Sequence, residues 1–77
     1  MPHVIVKLLS GRTDEQKKRL ATEITKDVMN ITGNEEEAVS VSIEDVKQSD
    51  WTEKVYKRDI LSNWDKLYKE PGYNPLA

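Results

Sequence analysis

Alternation dominates the start of the chain. Between Pro2 and Leu9 a period of two sets Val4, Val6 and Leu8 on one face and His3, Ile5, Lys7 and Leu9 on the other. The β-branched Val4, Ile5 and Val6 favour extended backbone, so residues 2–9 are expected as a strand. Ile5 and Leu9 keep the second face largely apolar, as in a strand covered from both sides. The period then lengthens. Ser10-Gly11-Arg12 reads as a turn, and Thr13-Asp14-Glu15-Gln16 has the form of a capping box. Leu20, Ile24, Val28 and Ile31 fall on one helical stripe, with Ala21 beside it. A helix over about 14–32 follows, stopped by a left-handed Gly33.

Asn34 to Glu37 form a charged link with no assigned role. From Ala38 to Val46 alternation returns, with Val39, Val41 and Ile43 inward and Ser40, Ser42 and Glu44 opposite. Strand, helix, strand in this length is a βαβ unit with parallel strands and a right-handed crossover. Asp50 and Glu53 resemble a second capping box, opening a helix of about 51–69. Tyr56, Ile60, Trp64, Leu67 and Tyr68 would line one side of it, Pro71-Gly72 would end it, and Tyr73 to Ala77 would form a tail. The expected class is α+β, in the order β-α-β-α, as a single domain over 1–77. Two parallel strands do not make a stable sheet alone. Two copies are therefore expected to pair into a four-stranded sheet.

Size sharpens that expectation. With 77 residues, 36% apolar and 34% charged, one chain offers a small core, and no Cys is present to staple it. An oligomer whose subunits share a core supplies the missing burial. The lack of Cys fits a reducing compartment. No apolar run is long enough to span a bilayer and no signal peptide is recognisable, so the cytoplasm is expected and a membrane partner is not. Twelve basic against fourteen acidic residues give a net charge of -2 and a pI near 5.3. Nucleic acid is then an unfavoured partner, although a local basic pocket for a small anion is compatible with the balance.

Two residues carry candidate chemistry. Removal of Met1, which a following proline permits, would leave Pro2 with a free secondary amine at the start of a strand. An α-amino group ordinarily titrates near ~8, and desolvation lowers that by disfavouring the ammonium. Such a base can take a proton from carbon next to a carbonyl and return it elsewhere. Arg12 sits where strand turns to helix, beside amides that favour anions, and a guanidinium can hold a carboxylate through two hydrogen bonds. The alternative for Arg12 is a solvated turn residue. The strand separates the two by roughly 25 Å, so Arg12 can serve only the Pro2 of a neighbouring chain.

Pro2, the strand after it, and Gly11-Arg12-Thr13-Asp14-Glu15-Gln16-Lys17 followed by a helix and second strand resemble the 4-oxalocrotonate tautomerase superfamily. The resemblance covers about residues 2–51. It implies a βαβ fold and keto–enol interconversion of 2-oxo acids without a cofactor, with Pro2 as general base and Arg12 as a substrate-carboxylate contact. Members active on dicarboxylates carry an arginine in the second strand, and Ser40 stands at that position here, which argues against diacid substrates. Trp51 stands where the family places an aromatic residue lining the site. The aromatic C-terminal third, ending Lys69-Glu70-Pro71-Gly72-Tyr73, resembles the dimeric bacterial phenylpyruvate-type branch of similar length. The implied substrate is a small 2-oxo acid or its enol, with an aryl group compatible. The alternative is a catalytically silent assembly or ligand-binding module on the same fold. A dehalogenase or decarboxylase is a further option, but those relatives use an arginine pair. His3, the single histidine, and Lys7 share a strand face close to Pro2 and receive no role from the sequence.

Overall fold

In the computed structural model, which describes all residues from Met1 to Ala77, β1 spans His3–Leu9, α1 spans Asp14–Thr32 and β2 spans Ser40–Val46. The chain groups into two units, Met1–Asp45 and Val46–Ala77, taken here in turn.

The first unit is the expected βαβ. β1 and β2 form a two-stranded parallel sheet. Its register is set where both strands begin, the Ser40 amide donating to the Pro2 carbonyl at 3.2 Å. Alternation appears as expected: Val4, Val6, Leu8, Val41 and Ile43 are half-buried, while His3, Ile5, Leu9, Ser40, Ser42 and Glu44 are exposed. α1 begins at a complete capping box. The Gln16 amide donates to Thr13 Oγ1 at 3.1 Å, and the Thr13 amide donates to Gln16 Oε1 at 2.9 Å. It ends at Gly33, whose φ of 79° is left-handed and whose N–H donates to the Met29 carbonyl. Ala21, Ile24, Thr25, Val28 and Met29 make its half-buried stripe. Leu20 at 37% exposure and Ile31 at 83% lie outside it, although their spacing placed both with Ile24 and Val28. A single 3-10 turn, Glu36–Ala38, links α1 to β2, so the second strand starts two residues later than its sequence implied.

The second unit departs further. α2 (Gln48–Trp51) continues without a break into π-helical turns over Thr52–Ile60 and then a 3-10 segment, Leu61–Lys66. The capping box expected at Asp50 and Glu53 is absent. The helix starts earlier, with Lys47 at its cap and no side chain capping it. Asp50 and Glu53 instead pair one turn on, with Lys54 at 3.4 Å and Lys57 at 2.7 Å. Near its end, Asn63 Nδ2 donates to the Asp59 carbonyl at 3.1 Å, and Ser62 Oγ donates to the Arg58 carbonyl. These side chains compete with main-chain amides for the carbonyls of the last full turn. Asn63 then leaves helical geometry (φ -119°, ψ 27°), and Leu67 is extended. The helix thus stops before Tyr68, which is fully exposed, rather than at Pro71-Gly72.

The π register also reassigns the helix face. A turn wider than 3.6 residues breaks the stripe drawn through Tyr56, Ile60, Trp64 and Tyr68. The buried side chains here are the adjacent Val55 and Tyr56, together with Val46. The tail folds back onto this helix: Tyr73 stacks at a tilt on Tyr56, ring centres 5.7 Å apart, and its hydroxyl accepts from Trp51 Nε1 at 2.9 Å.

Candidate active site

Pro2 precedes β1 and is half-buried. Ser40 is tied to it through the backbone bond that sets the sheet register. Of the four residues singled out from the sequence, these two are brought together. The Ser40 side chain turns to the exposed face and meets His3, with Oγ 2.6 Å from Nδ1. Pro2, His3 and Ser40 therefore form one cluster at the start of the sheet. His3 is the member that sequence reasoning left without a role. The available signal was that His3 and Ser40 are the first residues of two parallel strands with side chains on the same face, but only the register makes them neighbours.

Arg12 lies past the far end of β1, beyond its seven residues, and so is not in the Pro2 cluster of its own chain. Its setting is nevertheless fixed. Gly11 has φ 127°, a conformation that side-chain-bearing residues rarely adopt, and so lets the chain leave β1 and aim at α1. The capping box follows at Thr13. Lys17, one turn into α1, donates to Asp45 at 2.9 Å and lies 3.5 Å from Asp14, tying the first turn of α1 to the end of β2. The hydrogen bond that Lys17 donates to Asp45 raises the lysine's pKa above its ordinary 10.5, and the charges of Asp45 and Asp14 add to it. Arg12 itself is exposed and makes no hydrogen bond or ion pair within the protomer, so its guanidinium is free for an anion.

Trp51 belongs to the second unit and closes α2. Its indole N–H donates to the Tyr73 hydroxyl, and the residue is half-buried. No group of three or more His, Cys, Asp or Glu side chains converges to hold a metal. The arrangement offers hydrogen-bonding groups at both ends of β1: a histidine–serine pair beside Pro2, and the Arg12 guanidinium past the opposite end of the strand.

Comparison with known proteins identifies the family. A family described as "Tautomerase enzyme" matches residues 2–54, beginning at Pro2 and taking in Arg12, Ser40 and Trp51. A probable tautomerase of Xylella fastidiosa (strain 9a5c) is 43% identical over 77 residues, all of this chain and 94% of its own length. Tautomerase PptA of Enterobacter sp. (strain 638) is 36% identical over 96% of this chain and 99% of its own. Among solved structures, YwhB, described as a homologue of 4-oxalocrotonate tautomerase, superposes with a TM-score of 0.60 at 47% identity, covering 61% of this chain and 77% of that one. The two sequence relatives thus extend through residues 46–77, while the structural match covers a smaller share. The family match, opening at the proline and spanning both strands and the helix between them, shows that the chain belongs to the tautomerase family of isomerases.

Proposed function

We propose that the protein is a homodimeric keto–enol tautomerase of small 2-oxo acids, aryl ones of the phenylpyruvate type included, with Pro2 as its base once Met1 has been removed. The observation that carries this reading is the position of Pro2, at the first residue of the family match and at the start of β1, with the Ser40 amide holding its carbonyl. The neutral amine of Pro2 takes the hydroxyl proton of the enol, and the resulting ammonium returns it to C3, so that an O–H bond breaks and a C–H bond forms. Arg12 of a neighbouring chain pairs with the substrate carboxylate. Ser40 in place of a second guanidinium leaves Arg12 as the cation for a monocarboxylate, and the indole faces of Trp51 suit an aryl group. A probable tautomerase and a tautomerase PptA that match over 96% or more of this chain support the same branch. No cofactor takes part in these steps. That no helix is long and apolar enough to cross a membrane is compatible with a freely diffusing enzyme.

A second reading has its own support. With Met1 attached, the Pro2 nitrogen is an amide and has no basic lone pair. The chain would then be a binding or assembly module. Mass spectrometry of the protein from its native cell separates the two: a chain lighter by one methionine keeps the enzyme, and a retained Met1 removes it. The decay of phenylpyruvate enol absorbance then tests the roles. Pro2→Ala is expected to lose at least about 10²-fold in kcat. Arg12→Ala is expected to raise KM by about tenfold or more, the effect of a lost charge-assisted contact. Equal rates for wild type and Pro2→Ala would defeat the assignment.

A further inference from the structure

Neither the family match nor the sequence assigns His3 a task, yet it follows the proposed base directly in the chain and its ring contacts the side chain of Ser40, whose amide is bonded to Pro2. His3 Nδ1 and Ser40 Oγ are 2.6 Å apart, both on the exposed face of the sheet, and the Ser40 amide is bonded to the Pro2 carbonyl. A hydroxyl has one hydrogen to give and two lone pairs to receive with. If Ser40 donates to His3, its hydrogen is consumed within the pair. If His3 Nδ1–H donates to Ser40, the serine hydrogen stays free for another acceptor. Only the second arrangement leaves a polar hydrogen on the residue tied directly to Pro2.

We infer that His3 is a positioning residue: its Nδ1–H donates to Ser40 Oγ and turns the Ser40 hydroxyl toward the C2 oxygen of a 2-oxo acid substrate. The inference rests on the tautomerase reading above and adds the group that stabilises the developing enolate. When Pro2 takes the enol proton, negative charge gathers on the C2 oxygen. A hydrogen bond already aimed at that oxygen costs no reorganisation as the charge appears. Ser40 is then the group in contact with substrate, and His3 acts through it. The pair supplies one neutral donor where a guanidinium would supply charge, so it favours a keto or enol oxygen over a second carboxylate.

The single histidine makes the direct test clean, since ¹⁵N-labelled protein gives one pair of ring signals. In the wild-type chain lacking Met1, neutral His3 is expected to carry its proton on Nδ1, the less common tautomer in water. Phenyllactate, which has an oxygen at C2, should shift those signals, and 3-phenylpropanoate, which has none, should not. A proton on Nε2, or the same response to both acids, overturns the inference without requiring any mutant to fold. Kinetics supply the second arm. Ser40→Ala should lower kcat by about 10²-fold with KM little changed, as for loss of one oxyanion donor. His3→Leu should lower kcat by about tenfold, and His3→Asn, whose amide can donate to Ser40, should restore most of it. If Pro2→Ala is impaired while His3→Leu matches wild type, the histidine's role fails and the tautomerase reading stands. If Pro2→Ala matches wild type, the tautomerase reading fails, and the enolate role of His3 with it.

Discussion

Residues 1–45 and 46–77 solve different problems. In the first unit each element follows its period and its end signals, from the capping box at Thr13 to the left-handed Gly33, yet no side chain is fully buried within the protomer. The second unit has an irregular helix passing through π and 3-10 turns, yet Val46, Val55 and Tyr56, the three buried side chains of the chain, all belong to it. Regular geometry and burial are thus separate achievements. Caps, glycines and β-branching draw a βαβ unit from local preferences, but its apolar positions, among them Ile5 at 60% exposure and Ile31 at 83%, remain uncovered in one copy. The proposed chemistry lies mostly in that uncovered unit, where Pro2, His3, Arg12 and Ser40 all reside.

The largest test of this contrast is Tyr56→Ala. Tyr56 is 2% exposed and carries the tilted contact with Tyr73, so its truncation should cost about 3–4 kcal/mol in urea unfolding. A domain of this length has roughly 4–12 kcal/mol in total. Ile24→Ala, at a half-buried position of α1, should cost clearly less in dilute protein. If the two losses were equal, the first unit would own more core than its exposure indicates.

The proposed dimer sharpens the comparison next. Cover for the first unit that comes from a second copy makes stability rise with protein concentration, by up to about 2.7 kcal/mol for a hundredfold increase. A thermal midpoint that stays fixed over that range would mean that the protomer stands alone. A smaller effect distinguishes the two helix starts. Thr13→Ala removes a working cap and should cost about 1 kcal/mol, whereas Asp50→Ala removes only an exposed i,i+4 partner and should cost about half of that or less. Denaturation midpoints of the two variants side by side check the order.

These outcomes also explain which parts of the molecule were legible in the sequence. β1, α1 and the inward face of β2 were readable because each rests on a local rule: alternation, a capping box whose two halves bond each other, and a glycine that alone tolerates its φ. The second helix misled because Asp50 and Glu53 have the composition of a capping box while their carboxylates are taken by Lys54 and Lys57. Its face was misread because a 3.6-residue period was carried through a π-helical stretch, which composition does not announce. In the proposed site, Pro2 and Arg12 stand out in the sequence as residue types in a recognisable spacing. The His3–Ser40 contact was not, since it depends on strand register between residues 37 positions apart.

The smallest expected effect concerns an ion pair that joins two elements of the first unit. Lys17 bridges α1 and the end of β2, 2.9 Å from Asp45, and its side chain keeps contact with solvent. Exposed pairs contribute little and are weakened by salt, so Lys17→Met should lower stability only slightly at neutral pH, and less so in high salt. The sign of its pH dependence is fixed by proton affinity. The folded chain holds the Lys17 proton more tightly than the unfolded chain, chiefly through the bond to Asp45. The contribution is therefore complete below the ordinary 10.5 and is lost as pH rises through the higher folded value. Wild type and Lys17→Met should differ across the neutral range and converge only in strongly alkaline solution. Asp45→Asn should reproduce the small deficit, and the double variant should add nothing to it. A gap between wild type and Lys17→Met that persisted unchanged into strongly alkaline solution would show that the lysine stabilises the βαβ unit through its aliphatic stem rather than its charge.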